Sequence, residues 1–253
     1  MTSPRPTAAY FDQWYADMAV SPARDAIVAR TLGLPAELEV AGTLPWDGIA
    51  AMTAALHPAP GATLVDLACG RGGYGIEIAR RTGAHLIGVD FSEVAVRAAT
   101  ALSARRLPGN RAEFRVGTLA ASGLPDGTAD ALMCVDAVQF AEPPLAAMAE
   151  FHRLLTPGGR LALTCWEAVD PGDDRVPARI REVGLRRDLP QAGFTDVQVH
   201  DMPDWRAAEK TMWQEALAAD GTDPAVRSLQ EEGRSSLAAF DSLRRVFATA
   251  VAG

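Results

Sequence analysis

Six short apolar runs recur along the chain: "ATLVDLA" (62–68), "AHLIGVD" (84–90), "AEFRV" (112–116), "ADALMCVD" (129–136), "GRLALTCW" (159–166) and "TDVQVHD" (195–201). Between most of them apolar residues fall at helical spacing, as at Ile76 and Ala79 or at Leu145, Met148, His152 and Leu155. Strands alternating with helices build a parallel sheet, because each helix is the crossover that returns the chain to the same edge. The expected fold is therefore α/β, a doubly wound parallel sheet with helices on both faces. Turn chemistry marks its borders: "LPGN" (107–110), "LPDG" (124–127) and "TPGG" (156–159) each stand just ahead of a new strand.

Two segments lie outside this rhythm. Residues 1–60 hold an aromatic stretch (Tyr10, Phe11, Trp14, Tyr15), helical patterns near 22–32 and 46–57, and the linker "HPAPG", and read as an N-terminal helical cap. Residues 203–242 carry Trp205, Trp213, Leu217, Leu229 and Leu237 in a helical pattern, expected as a lid on the substrate side of a core spanning 61–202. For 243–253, containing "RRVFATAVA", periodicity leaves a closing strand and a helix end both open.

Composition narrows the function. At 253 residues and 48% hydrophobic content the chain can bury one large core. A formal charge of -8, from 32 acidic against 24 basic residues without a basic block, argues against a nucleic-acid partner. Cys69, Cys134 and Cys165 have no C-x-x-C spacing, and the histidines do not fall at ligand spacing, so neither a disulfide framework nor a metal site is expected. With no secretory pattern and no run of membrane-spanning length, the expectation is a cytoplasmic protein without membrane contact, a monomer or homodimer.

The chemistry concentrates in "VDLACGRGGYG" (65–75), at the place where the first strand turns into the first helix and ligands of open α/β sheets bind. Gly70, Gly72 and Gly75 spell G-x-G-x-x-G, so a nicotinamide or flavin dinucleotide must be weighed first. Asp90 ends the second strand 20 residues after Gly70 and can accept hydrogen bonds from ribose hydroxyls, which favours an adenosine cofactor. Asp66 tells against a dinucleotide, because a carboxylate beside the loop prefers a cation to a pyrophosphate.

Taken in order, "VDLACGRGGYG", "GVDFS" and "LLTPGGRLALT" resemble the class I S-adenosylmethionine-dependent methyltransferases, closest to the bacterial small-molecule branch, over roughly residues 60–202. The resemblance implies a mostly parallel, seven-stranded Rossmann-like sheet. It implies that Asp66, Ala68, Gly70 and Gly72 surround the methionine moiety of S-adenosylmethionine, that Asp90 binds its ribose, and that Phe91 packs on its adenine. Ala68 stands where glycine is common. Thr118 stands where many members place an aspartate for the adenine amino group, a role a threonine oxygen or the Leu119 backbone can take. The N-terminal segment, with Tyr15, is implied to fold over the methionine end.

Residues leaving the fourth and fifth strands face the same edge. Asp136 is a candidate for cofactor contact and, with Glu167, for general base; Gln139, Trp166 and Trp213 are candidates for the substrate pocket. The expected activity is methyl transfer from S-adenosylmethionine to an oxygen, nitrogen or carbon of a small molecule, in secondary metabolism, leaving S-adenosylhomocysteine. The alternatives are a non-methylating S-adenosylmethionine-binding cyclase or elimination catalyst, and a cofactor sensor.

Overall fold

The computed structural model describes residues 6–109 and 111–253. Strands β1 (Thr63–Leu67), β2 (His85–Asp90), β3 (Ala112–Val116), β4 (Ala129–Val135), β5 (Leu155–Ala168), β6 (Phe194–Asp201) and β7 (Leu243–Ala252) form one sheet in the order β3-β2-β1-β4-β5-β7-β6. β7 lies antiparallel between β5 and β6, and the other neighbours pair in parallel. This is the doubly wound α/β sheet that the alternation predicts. Strand order reverses beside β1 and β4, so the crevice at their carboxyl ends is where a ligand site belongs.

The segment whose periodicity was ambiguous is β7. It is buried along most of its length because β5 and β6 flank it and helices cover both faces, which erases the polar alternation that marks a half-exposed strand. The "TPGG" turn ahead of the fifth strand is also different in kind. β5 begins at Leu155, and residues 156–159 bulge out between the Ala129–Leu155 and Ala131–Arg160 pairings, with Gly158 at φ 80°.

Ten helices complete the described fold: α1 (Ala8–Ala19), α2 (Pro22–Leu32), α3 (Trp46–Leu56), α4 (Gly73–Thr82), α5 (Glu93–Arg106), α6 (Pro144–Leu154), α7 (Ala178–Arg181), α8 (Leu185–Gln191), α9 (Pro203–Ala218) and α10 (Pro224–Ala238). Their starts follow local chemistry. Ser21, Ser92 and Asp223 accept hydrogen bonds from the first-turn amides of α2, α5 and α10, and Pro22 and Pro224 stand just inside, where a missing N–H costs nothing. Along β1 and β4 the side chains alternate between two cores. Leu64, Ala131 and Met133 meet Ile49, Met52 and Leu56 of α3, whereas Val65, Leu132 and Cys134 meet Met148 and Phe151 of α6.

The two ends of the chain pack together. Ser21 donates to Asp223 at 2.6 Å, Trp205 donates to Asp47 at 3.1 Å, and α2 lies against α9. The terminal helices thus form one roof over the carboxyl edge of the sheet, and α3 continues from it into the core. Among the described residues, no helix is long and apolar enough to cross a membrane.

Candidate active site

The loop from β1 to α4 reverses direction through three residues in the left-handed region, Ala68 at φ 59°, Gly70 at φ 54° and Gly72 at φ 84°. The strain of an L side chain there, about 1–2 kcal/mol, is the physical reason glycine suits position 68. Gly70 is needed for a second reason: a Cβ would lie 3.1 Å from both the Tyr15 hydroxyl and the Ala41 methyl. α1 and the segment after α2 therefore close directly on the loop. A Cβ at Gly75 would stand 2.5 Å from Asp66 Oδ2, so the buried Asp66 carboxyl fits only because position 75 is glycine.

The two acids of this end are perturbed by their surroundings. Burial pushes the Asp66 pKa up to about 8, with Asp90 adding to the shift and the Gly75 amide opposing it. Asp90 is pushed to about 6, again by burial first, while amides of Ser92, Gly70 and Phe91 favour its anion. Gly70 and Ser92 each donate to it at 2.9 Å. Two buried acids thus stand at this end of the site, Asp90 raising Asp66 and Asp12 raising Asp90.

Asp66, Ala68, Gly70 and Asp90 line one end of a cavity of about 600 Å³, with Phe91, Thr118 and Leu119 beside them. Tyr15 closes it from α1, and Phe11 packs on Phe91 at 5.2 Å. Gly72 does not reach the cavity: at φ 84° it caps α4 on the side of α5, where a Cβ would meet Ile76 and Ala99. The cavity continues past Asp136 and Gln139 to a chamber walled by Trp166 and Trp213, whose rings stack at 5.8 Å.

Two expectations for a base need correction. Glu167 is absent from the cavity wall, since side chains alternate along β5 and Trp166 takes the inward position. Its carboxylate accepts from the Leu185 amide at 2.7 Å and pairs with Arg244 at 2.5 Å. Asp136, at φ 58°, does reach the cavity, but its oxygens are committed: they accept from the Thr43 amide at 2.9 Å and the Thr164 hydroxyl at 2.7 Å, and meet Arg245 at 2.5 Å. That set of contacts makes it the anchor of the roof segment at Thr43.

The sequence reading missed the group behind it. Arg245, fully buried on β7, lies between Asp136 and Glu209 of α9, and Glu209 accepts a hydrogen bond from the Trp166 indole at 3.1 Å. Burial pushes the Glu209 pKa up to about 8 against the pull of Arg245. One signal was available: Glu209 is a carboxylate on the buried stripe of α9, with Trp205, Met212, Trp213 and Ala216. Among the described residues, no group of histidine, cysteine, aspartate and glutamate could hold a metal ion.

Residues 65–163 match a family profile described as "Methyltransferase domain". Over these residues the sheet core resembles a methyltransferase domain. It aligns at 30% identity over 171 residues with sterol 24-C-methyltransferase ERG6B of Gibberella zeae, covering 65% of this chain and 44% of that protein. With 2-methyl-6-phytyl-1,4-hydroquinone methyltransferase of Synechocystis sp. the identity is 32% over 130 residues, covering 51% and 39%. The chain thus spans less than half the length of these curated relatives. In structure, the [4+2]-cyclase SpnF superposes with a TM-score of 0.74 at 22% identity, covering 99% of this chain and 97% of that one, which establishes the shared fold. The matched stretch of the methyltransferase domain contains Asp66, Asp90, Thr118 and Asp136; Trp166, Glu209, Trp213 and Arg245 lie beyond it.

Proposed function

We propose that the protein transfers a methyl group from S-adenosylmethionine to an oxygen, nitrogen or carbon of a small molecule and releases S-adenosylhomocysteine. One observation carries this reading: a single cavity joins the Gly70–Asp90 end to the Trp166–Trp213 chamber, so donor and acceptor can share one enclosed space. Its size, about 600 Å³, lies within the range of small-molecule sites.

The residues fit the cofactor. The Gly70 backbone offers a surface without a side chain, Asp90 supplies carboxylate oxygens for the ribose hydroxyls, and Phe91 gives an apolar face for adenine beside Thr118 and Leu119. The carboxylate of Asp90 at this end suits a cationic ligand. S-adenosylmethionine supplies an activated methyl group on a sulfonium, so the protein has mainly to hold the partners in line, which can be worth effective molarities of about 10⁵ M or more. Tyr15 and the roof keep water from the reacting atoms.

The test is mass spectrometry of a metabolite pool incubated with the protein and methyl-deuterated S-adenosylmethionine. A product carrying the labelled methyl, formed together with S-adenosylhomocysteine, is the expected result. Product formed from an acceptor while the cofactor stays intact would replace this reading with a non-methylating catalyst, and binding without any product would leave a sensor.

A further inference from the structure

We propose that the chamber takes a neutral aromatic ring of the acceptor against the Trp166–Trp213 wall, with Glu209 as the positioning residue that fixes the Trp166 indole; this names the acceptor class and rests on the methyl-transfer reading above. All three tyrosines, three of the five tryptophans and three of the eight phenylalanines line this one cavity. Phe11, Tyr15 and Phe91 stand at the cofactor end, whereas Trp166 and Trp213 stand in the chamber, so their aromatic surface is left for the acceptor. Trp166 is held in one orientation from two directions. Its indole Nε1 donates to Glu209 Oε1 at 3.1 Å, and its ring lies 5.8 Å from that of Trp213 at 29° and 6.2 Å from that of Phe240. A wall fixed in this way offers an aromatic guest an offset-stacked or edge-on contact without first having to be ordered.

The charges behind this wall cancel. Arg245 meets Asp136 at 2.5 Å and Glu209 at 3.5 Å. Burial, then Asp136 and Glu232, push the Glu209 pKa up to about 8 against the pull of Arg245 and of a hydrogen bond from Thr43, so near neutral pH Glu209 holds its proton and the Asp136 carboxylate balances the Arg245 guanidinium. Arg245 is fully buried and absent from the cavity wall, so it offers no cation to a ligand. Nearer the solvent the cavity is lined by charges of both signs: Glu231 and Glu232 of α10 are exposed, and Arg179 of α7, 4.8 Å over the Phe140 ring, opposes the upward shift of the Glu232 pKa. Toward the cofactor end, Arg24 is engaged with Asp25 and with the carbonyls of Val40 and Ala41.

A charged ring would therefore give up its hydration in the chamber without meeting an unmatched charge of opposite sign, whereas a neutral ring gives up little. A saturated ring of the same size would keep the apolar burial and lose the aromatic contact.

The experiment compares 2-naphthol, decahydro-2-naphthol, 2-naphthoate and 2-naphthylmethylamine. Each is titrated calorimetrically at neutral pH into the protein alone and into the protein saturated with S-adenosylhomocysteine. 2-Naphthol is expected to bind about three- to tenfold more tightly than its saturated counterpart. Over either charged compound its advantage is expected to be about tenfold or more. Trp166→Leu is expected to erase the advantage over the saturated ring. Glu209→Leu, which leaves the indole without its acceptor, is expected to weaken 2-naphthol binding about threefold, and Glu209→Gln, which keeps an acceptor oxygen, to stay within about twofold of the unaltered protein. The proposal is overturned if 2-naphthol does not bind, if the saturated ring or either charged ring matches it, or if its advantage survives in Trp166→Leu. Equal binding to Glu209→Leu and Glu209→Gln would overturn the role of Glu209. The four-ligand comparison is made on the unaltered protein, so it decides the acceptor class even where a variant fails to fold. Failure of the methyl-transfer reading shows separately, as absent S-adenosylhomocysteine binding, while the titrations without it still report on the chamber.

Discussion

The two ends of the cavity are built in opposite ways. The end at Gly70 and Asp90 is made mainly of backbone and side chains from neighbouring segments, residues 66–75 and 90–92, held by the parallel pairing of β1 with β2 and closed by Tyr15 of α1. The chamber end is made of long side chains delivered from the end of β4, from β5, α9, α10 and β7, and locked by a buried cation between two acids. The first kind of site is built from segments that the sheet itself sets side by side. The second depends on long side chains from distant elements, and a single side chain can alter it.

The largest effect expected from breaking this contrast is at Arg245. Arg245→Met strands Asp136 and Glu209 without their cation and should cost about 3–5 kcal/mol of stability, measured by denaturant unfolding. The cost should depend on pH in a definite direction. Arg245 holds the Glu209 pKa down to about 8, so without it the acid keeps its proton to higher pH, and the penalty grows as pH rises through about 8 and shrinks on acidification. An equal penalty at pH 5 and pH 9 would show that the cluster does not work through charge.

At the other end, Asp90→Asn should weaken S-adenosylmethionine binding by about 1.5–3 kcal/mol in calorimetry while leaving the chamber's ligands unaffected. In the unaltered protein, cofactor affinity should fall as pH drops through about 6, because the protonated carboxyl loses acceptor capacity. A loss of affinity confined to pH above 6 would contradict the assignment.

Trp213→Phe sharpens the comparison from the chamber side. Trp213 is 1% exposed and stacks on Trp166, so truncation to alanine would test packing more than function. The phenylalanine variant keeps an aromatic wall, should cost about 0.5–1.5 kcal/mol in acceptor use, and should leave cofactor affinity unchanged. Unchanged turnover with every acceptor would remove Trp213 from the substrate wall. The smallest effect belongs to Thr118→Asp, at an exposed position beside Phe91: cofactor affinity should hold or improve by up to about 1 kcal/mol, and a large loss in a folded variant would mean adenine sits elsewhere.

Much of the first end was legible in the chain. The β1-to-α4 turn, Asp66, Asp90, Phe91 and Thr118 are near one another in sequence or at the ends of consecutive strands, and the structure brings them to one cavity wall. Gly72 shows the limit even there, since spacing marks a glycine without saying whether it faces the ligand or, as here, α5. At the second end Trp166, Gln139 and Trp213 were legible as residues near the right edge, whereas Glu167 was misplaced by one step of strand alternation.

The sequence by itself determined the parallel sheet, the helix starts and the turn that makes a cofactor-sized notch, because period, caps and glycines act within a few residues of one another. Tertiary structure alone decided that α1 and α2 join α9 and α10 in one roof, that residues 243–252 enter the sheet as β7, and that Arg245 stands between Asp136 and Glu209. No local rule brings a strand residue, a strand-end acid and a helix acid together. They meet because both faces of β7 must be covered, and the charges carried into that dry interior can be tolerated only against one another.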